Sequence, residues 1–206
     1  MTGKDDLHIF RYGEIELDHL RKREAKLGRA IEDIGLIKRE VIPDLFTALV
    51  ASIVSQQISA KAATTVWNRL LDRFGSVTPE TLGTASPGEI QQCGVSMRKA
   101  GYIKNIGVAV ATGELELAGL RNLSDAEVVT RLQEFEGIGV WTAEMLLIFS
   151  MERPDVLSWN DLAIRRGMMI LYGKTMLEKV QFERLRKRYS PYGSVASLYL
   201  WEISHR

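Results

Sequence analysis

A single cysteine, Cys93, among 206 residues excludes an internal disulfide and any four-cysteine metal site. The three histidines, His8, His19 and His205, are too scattered along the chain to suggest a metal-ligating cluster. These two scarcities argue against a metal-dependent catalytic core, and no cofactor is expected. Nowhere does the sequence reach the roughly eighteen consecutive apolar residues of a membrane span. Its first residues, MTGKDDLHIF, are too polar for a signal peptide. A cytoplasmic protein with no membrane partner is therefore expected. Sustained strand alternation, low-complexity segments, long linkers and internal repeats are also missing. Net charge is nearly absent, since 27 Lys and Arg face 26 Asp and Glu, and charge alone announces no nucleic-acid partner.

What the chain does have is segregated charge and helix punctuation. From Asp161 to Arg206 there are nine Lys or Arg against four Asp or Glu, and from Glu114 to Glu136 two against six. Basic clusters such as FERLRKRYSP and VSMRKAGYIK read equally as solvated helix faces or as contacts for an anionic partner. Helix starts are marked by Thr78 before Pro79, by Ser86 with Glu89 and by Ser124 with Glu127, and stops by Gly75, Gly94, Gly113 and Gly173. Elsewhere apolar residues recur near helical spacing, as in Ile15, Leu20, Leu27, Ile31 and Ile34. With 46% apolar and 26% charged residues, the composition is that of an ordinary globular domain. The expectation is an all-α fold of nine to eleven helices.

One stretch is denser in signals than the rest. SDAEVVTRLQEF runs into EGIG, and VWTAEMLLIFS follows at once, which reads as helix, tight turn, helix. Glycines at 137 and 139 permit positive φ and leave backbone amides uncovered at a helix start, where an anion such as a phosphate can sit. On Gly-x-Gly alone a plain helix-to-helix turn explains the pattern as well. Twenty residues past Trp141, the segment RPDVLSWNDLAIRRG places Asp161 at the start of another helix, behind Trp159 and Asn160 and ahead of Arg165 and Arg166. An aspartate there is an ordinary N-cap.

Taken in order with LVASIVSQQISAKAATTVW upstream, these segments closely resemble the helix-hairpin-helix DNA glycosylase superfamily, and within it the alkylpurine (3-methyladenine) branch in its compact form. The likeness covers about residues 40–205. It implies one catalytic unit of two helical lobes flanking a cleft: one of roughly residues 45–150, with the hairpin at 125–150, the other of 1–44 plus 151–206. It also implies a monofunctional, monomeric enzyme that flips a damaged base from double-stranded DNA and hydrolyses its N-glycosidic bond, the first step of base excision repair.

The resemblance assigns roles residue by residue. Asp161 matches the catalytic aspartate, and a carboxylate in a water-poor site stabilises the positive charge that builds on the deoxyribose as the bond breaks. Trp141 stands where strand-nicking relatives carry a Schiff-base lysine, and an indole cannot do that chemistry. In the alkylpurine branch an aromatic residue here lines the substrate pocket and stacks on the cationic base. Trp159 is a second pocket candidate, with a core role equally open. Gln57 falls at the position of the side chain that fills the space left by the flipped nucleotide, and Gln56 reads as a structural neighbour. Gly137, Gly139 and Thr142 face the DNA backbone, by amides or through a monovalent cation held by the carbonyls of Gly137 and Gly139. Arg165 or Arg166 adds a phosphate contact, one of the two only, because they point about 100° apart on a helix. Three departures stand out: Glu136 replaces a usual proline, Trp159 and Asn160 replace small residues or proline, and Tyr192 and Gly193 replace tryptophan and arginine. The same scaffold could serve hypoxanthine, ethenoadenine or mismatched bases, and a non-catalytic DNA-binding hairpin remains the third reading.

Overall fold

In the computed structural model, which describes residues 8–206, the chain is all-α. Among the described residues there are twelve α-helices, one 3-10 segment and a single antiparallel bridge between Ile9 and Glu40. No helix among them is long and apolar enough to cross a membrane. The chain divides into two compact units, Ile42–Leu146 on one side and Met1–Val41 with Leu147–Arg206 on the other.

The unit Ile42–Leu146 is built on α3 (Leu45–Ser55), started by Asp44, whose carboxylate accepts the Thr47 amide at 2.7 Å. Seven of its eleven residues are buried, as expected of a helix apolar on most of its circumference. Then come α4 (Ala60–Phe74), α5 (Pro79–Thr84), α6 (Pro87–Gln92), α7 (Met97–Ala111), the 3-10 turn Ala118–Asn122, α8 (Asp125–Leu132) and the start of α9 (Val140–Phe149). Their starts were written locally in the sequence. Ser59 caps α4, Thr78 caps α5 ahead of Pro79, and Ser86–Glu89 and Ser124–Glu127 form reciprocal capping boxes on α6 and α8. Each such cap stabilises its helix by about 1 kcal/mol.

The second unit holds α1 (Glu14–Arg23), α2 (Ala25–Ile34), the end of α9, α10 (Leu162–Tyr172), α11 (Lys179–Tyr189) and α12 (Gly193–Ser204). Here the helix count exceeds the expected nine to eleven, and the reason is tertiary. The break between α1 and α2 falls at Glu24, in extended conformation with neither glycine nor proline to mark it. Its buried carboxylate meets the Arg188 guanidinium at 2.7 Å, a partner 164 positions away that no local pattern encodes. The apolar stripe is also narrower than the periodicity suggested. Leu20, Leu27 and Ile31 are buried, whereas Ile15 is 76% exposed. α10 packs on α12 backbone to backbone, because a Cβ on Gly167 would lie 2.1 Å from the Leu200 carbonyl oxygen.

Candidate nucleic-acid interface

The hairpin of the first unit runs from α8 through residues 133–139 into α9. Its two glycines do different work. Gly137 has φ +90°, and a Cβ there would lie 2.4 Å from Cδ2 of Tyr102, on α7, so the residue is glycine for both conformation and space. Gly139 is exposed, with nothing within 4 Å of where a Cβ would stand. Between them Ile138 is buried and anchors the turn. The Gly139 carbonyl accepts the Ala143 amide at 3.1 Å, which places the start of α9 at this open residue, and the first-turn amides of a helix lack intrahelical partners. Glu136, the residue found in place of proline, is exposed.

Thr142 and the Gly137 carbonyl, expected at the backbone, both accept a hydrogen bond from the Gln56 side-chain amide, at 3.2 and 3.0 Å respectively. Thr142 is only 3% exposed, so its hydroxyl faces the fold and ties the hairpin to the end of α3. Gln56 is thus the structural neighbour the sequence suggested. One residue on, Gln57 is exposed and carries φ +59°, a left-handed conformation that costs a non-glycine residue about 1–2 kcal/mol. Backbone strain of this kind gathers at functional sites.

The motif VSMRKAGYIK, which had two open readings, has a third. Lys99 donates from Nζ to the carbonyls of Val54, at 2.9 Å, and Gln56, closing the C-terminal end of α3. Lys104 donates to those of Gly83 and Ala85, at 3.1 and 2.8 Å, closing the end of α5. Both lysines in this run therefore satisfy orphan helix carbonyls. Burial lowers the pKa of the Lys99 ammonium. Nothing in the local pattern separates these lysines from a solvated face, and sequence reasoning missed them for that reason.

In the other unit Asp161 is the N-cap of α10, its Oδ1 accepting the Ile164 amide at 2.9 Å, and it is 7% exposed. The segment leading to it is laced to the start of α12. Val156 donates its amide to Ser194 Oγ at 3.0 Å, Ser197 Oγ donates to the Val156 carbonyl at 3.1 Å, and the Asp155 carboxylate accepts Ser190 Oγ at 2.6 Å and the Gly193 amide at 3.0 Å. Gly193, which departs from the pattern, is tight against this carboxylate, with an added Cβ 2.8 Å from Asp155 Oδ1. These bonds hold residues 155 and 156 against the start of α12.

Trp159 is half-buried, its ring edge-on to Phe182 at 5.2 Å between centroids, with the Arg165 guanidinium 4.9 Å from its own centroid. Arg165, expected at a phosphate, therefore lies over an indole face, while Arg166 is the exposed one of the pair. Trp141 is half-buried in the first turn of α9. The structure thus gathers Gln56, Gly137 and Thr142 in one unit, and Asp161, Trp159 and Arg165 in the other.

The chain is similar to known proteins along most of its length. The family model described as HhH-GPD superfamily base excision DNA repair protein matches residues 50–191. DNA-3-methyladenine glycosylase 1 of Schizosaccharomyces pombe is 34% identical over 91% of this chain and 83% of its own length. A crystal structure of DNA-3-methyladenine glycosidase from Bacillus halodurans superposes with a TM-score of 0.84 at 35% identity, covering 96% of this chain and 93% of that one. The S. pombe 3-methyladenine DNA glycosylase in complex with abasic DNA gives 0.83 at 29% identity, over 92% and 96%.

Proposed function

The chain belongs to the HhH-GPD superfamily of base excision DNA repair proteins, and from that premise we propose that it is a DNA glycosylase releasing alkylated purines, 3-methyladenine and 7-methylguanine, from duplex DNA. The observation that carries this reading is the buried Asp161 held at a helix start, in a chain whose 34% identical relative is a DNA-3-methyladenine glycosylase.

The chemistry fits the residues. The C1′–N bond breaks with its electron pair leaving on the base, and positive charge develops on the sugar. Asp161 stabilises that charge, orients the water whose oxygen adds to C1′, and takes the proton that water loses. An alkylated purine is already cationic, so it leaves without a strong general acid. Trp141 stacks on it by cation–π attraction, worth on the order of 1 kcal/mol or more when desolvated, and Trp159 is a second pocket wall. Gln57 fills the vacated space in the duplex. Gly137 and Gly139 take the DNA backbone, through the amides that open Gly139 leaves uncovered or a cation at the two carbonyls. Thr142 supports them from within, and Arg165 or exposed Arg166 meets a phosphate. Trp141 supplies no amine for a Schiff base, so the strand is left uncut.

Release of free bases from methylated DNA, resolved by chromatography beside a strand-cleavage assay, tests the whole reading. 3-Methyladenine or 7-methylguanine without nicks is the expected result. Release only from a hypoxanthine duplex run alongside would move the substrate to deaminated purines. Tight binding without release from any duplex would make the hairpin the entire function.

A further inference from the structure

The turn that follows α3 has a specific type. Gln56 has φ −54° and ψ 127°, Gln57 has φ +59°, and the Ile58 amide donates to the Ser55 carbonyl at 3.4 Å. These are the marks of a type II β-turn, with Gln57 at the third position, which favours glycine or asparagine. A type I turn spans the same four residues with negative φ there and suits glutamine better. The two differ by a flip of the peptide between Gln56 and Gln57, which reverses the direction of the Gln56 carbonyl. That carbonyl is the one Lys99 Nζ holds, while Gln56 Nε2 is held by the hairpin through Gly137 and Thr142.

We infer that Lys99 is a positioning residue for base release: by gripping the Gln56 carbonyl it holds the turn in its type II form and thereby aims Gln57. The inference rests on Gln57 being the side chain that fills the duplex. α7 then serves both DNA-contacting elements from its first two turns, with Lys99 fixing the turn and Tyr102 packing under Gly137. An ammonium at this position reads in sequence as solvated charge; its role appears only from the carbonyls it meets.

The test compares single-turnover base release, fluorescence of 2-aminopurine placed beside the lesion to follow flipping, and affinity for undamaged duplex. Gln57→Ala and Lys99→Met should each slow release and lower the flipping signal by on the order of tenfold, since both weaken the same few-kcal/mol flipping step. The double variant should lose no more than either single one. Affinity for undamaged DNA should stay within about twofold of the parent, as expected when backbone contacts are untouched. Lys99→Arg, which still donates to a carbonyl, should recover most of the rate. Lys104→Met is the control, removing the same kind of helix closure at α5 and leaving release unchanged.

Loss in Gln57→Ala with normal Lys99→Met would overturn the inference while leaving the plug in place. Losses that multiply in the double variant would also overturn it, since Lys99 would then act elsewhere. So would an equal fall in undamaged-DNA affinity and thermal midpoint in Lys99→Met and Lys104→Met, which marks a general structural role. A silent Gln57→Ala would remove the plug reading itself. Should Lys99→Met fail to fold, Gln56→Ala loosens the other hold on the turn, and a normal flipping signal there would refute the mechanism.

Discussion

Replacing Asp161 with asparagine keeps an oxygen that can accept the Ile164 amide but removes the negative charge. Asparagine is as good an N-cap as aspartate, so the thermal midpoint and DNA affinity should hold while base release falls by roughly a hundredfold or more, the scale of losing a preorganised electrostatic contact. Asp161→Ala should lose release equally and about 1 kcal/mol of stability besides. Single-turnover release with a melting curve for each variant checks this, and near-normal turnover in Asp161→Asn would refute the catalytic assignment. Asp161 was singled out in the sequence because its neighbours and its distance from the hairpin form a joint motif, and of its expected features the helix cap was the one a local pattern carried. Gln57 was singled out in the same way, and its left-handed backbone is what the structure adds. Lys99 was legible only as a charged residue, because what it does is set by carbonyls brought close by folding, and Gln56 was legible as a structural neighbour whose partners only the fold supplies.

Among the elements, those that start on a local signal were readable and those that end on a distant partner were not. The capping boxes of α6 and α8 and the Thr78–Pro79 start of α5 need only four residues each. The α1–α2 break depends on Glu24 reaching Arg188, and the ends of α3 and α5 depend on lysines of α7. The hairpin combines both kinds of information. Its Gly-x-Gly was visible, yet only the structure tells the glycines apart. Gly137→Ala must place a methyl against the Tyr102 ring at positive φ, with an expected cost of about 1–3 kcal/mol. Gly139→Ala meets open space and should leave the melting temperature within about a degree or two, because surface changes of this kind are nearly neutral. It should instead weaken binding to damaged and undamaged duplex alike, as a methyl crowds the amides offered to the backbone. Equal destabilisation by the two variants would show that the hairpin is packed at both glycines, contrary to this account.

For the molecule as a whole, near-zero net charge hides buried groups whose protonation ties stability to pH. Tyr172 and Tyr189 share a hydrogen bond at 2.8 Å, and Tyr199 donates to the Gly35 carbonyl at 3.0 Å. Burial is the main cause that pushes all three phenols above their usual value of 10.0. All three lie in the unit that includes Leu147–Arg206. In the unfolded chain they begin to lose protons near pH 10, while the native protein keeps them, so the native state binds more protons and stability falls as pH rises from there. Each such group contributes a slope of at most about 1.4 kcal/mol per pH unit. Lys99, whose pKa burial lowers, works in the opposite sense just below the ordinary lysine value, one group against three. Urea midpoints measured between neutral pH and pH 11 should therefore be flat at first and decline above about pH 10. Tyr172→Phe should make that decline shallower whatever it does to stability at neutral pH, because it deletes one of the three ionisations. A decline of the same steepness in Tyr172→Phe would mean that this phenol ionises as readily in the folded protein as in the unfolded chain.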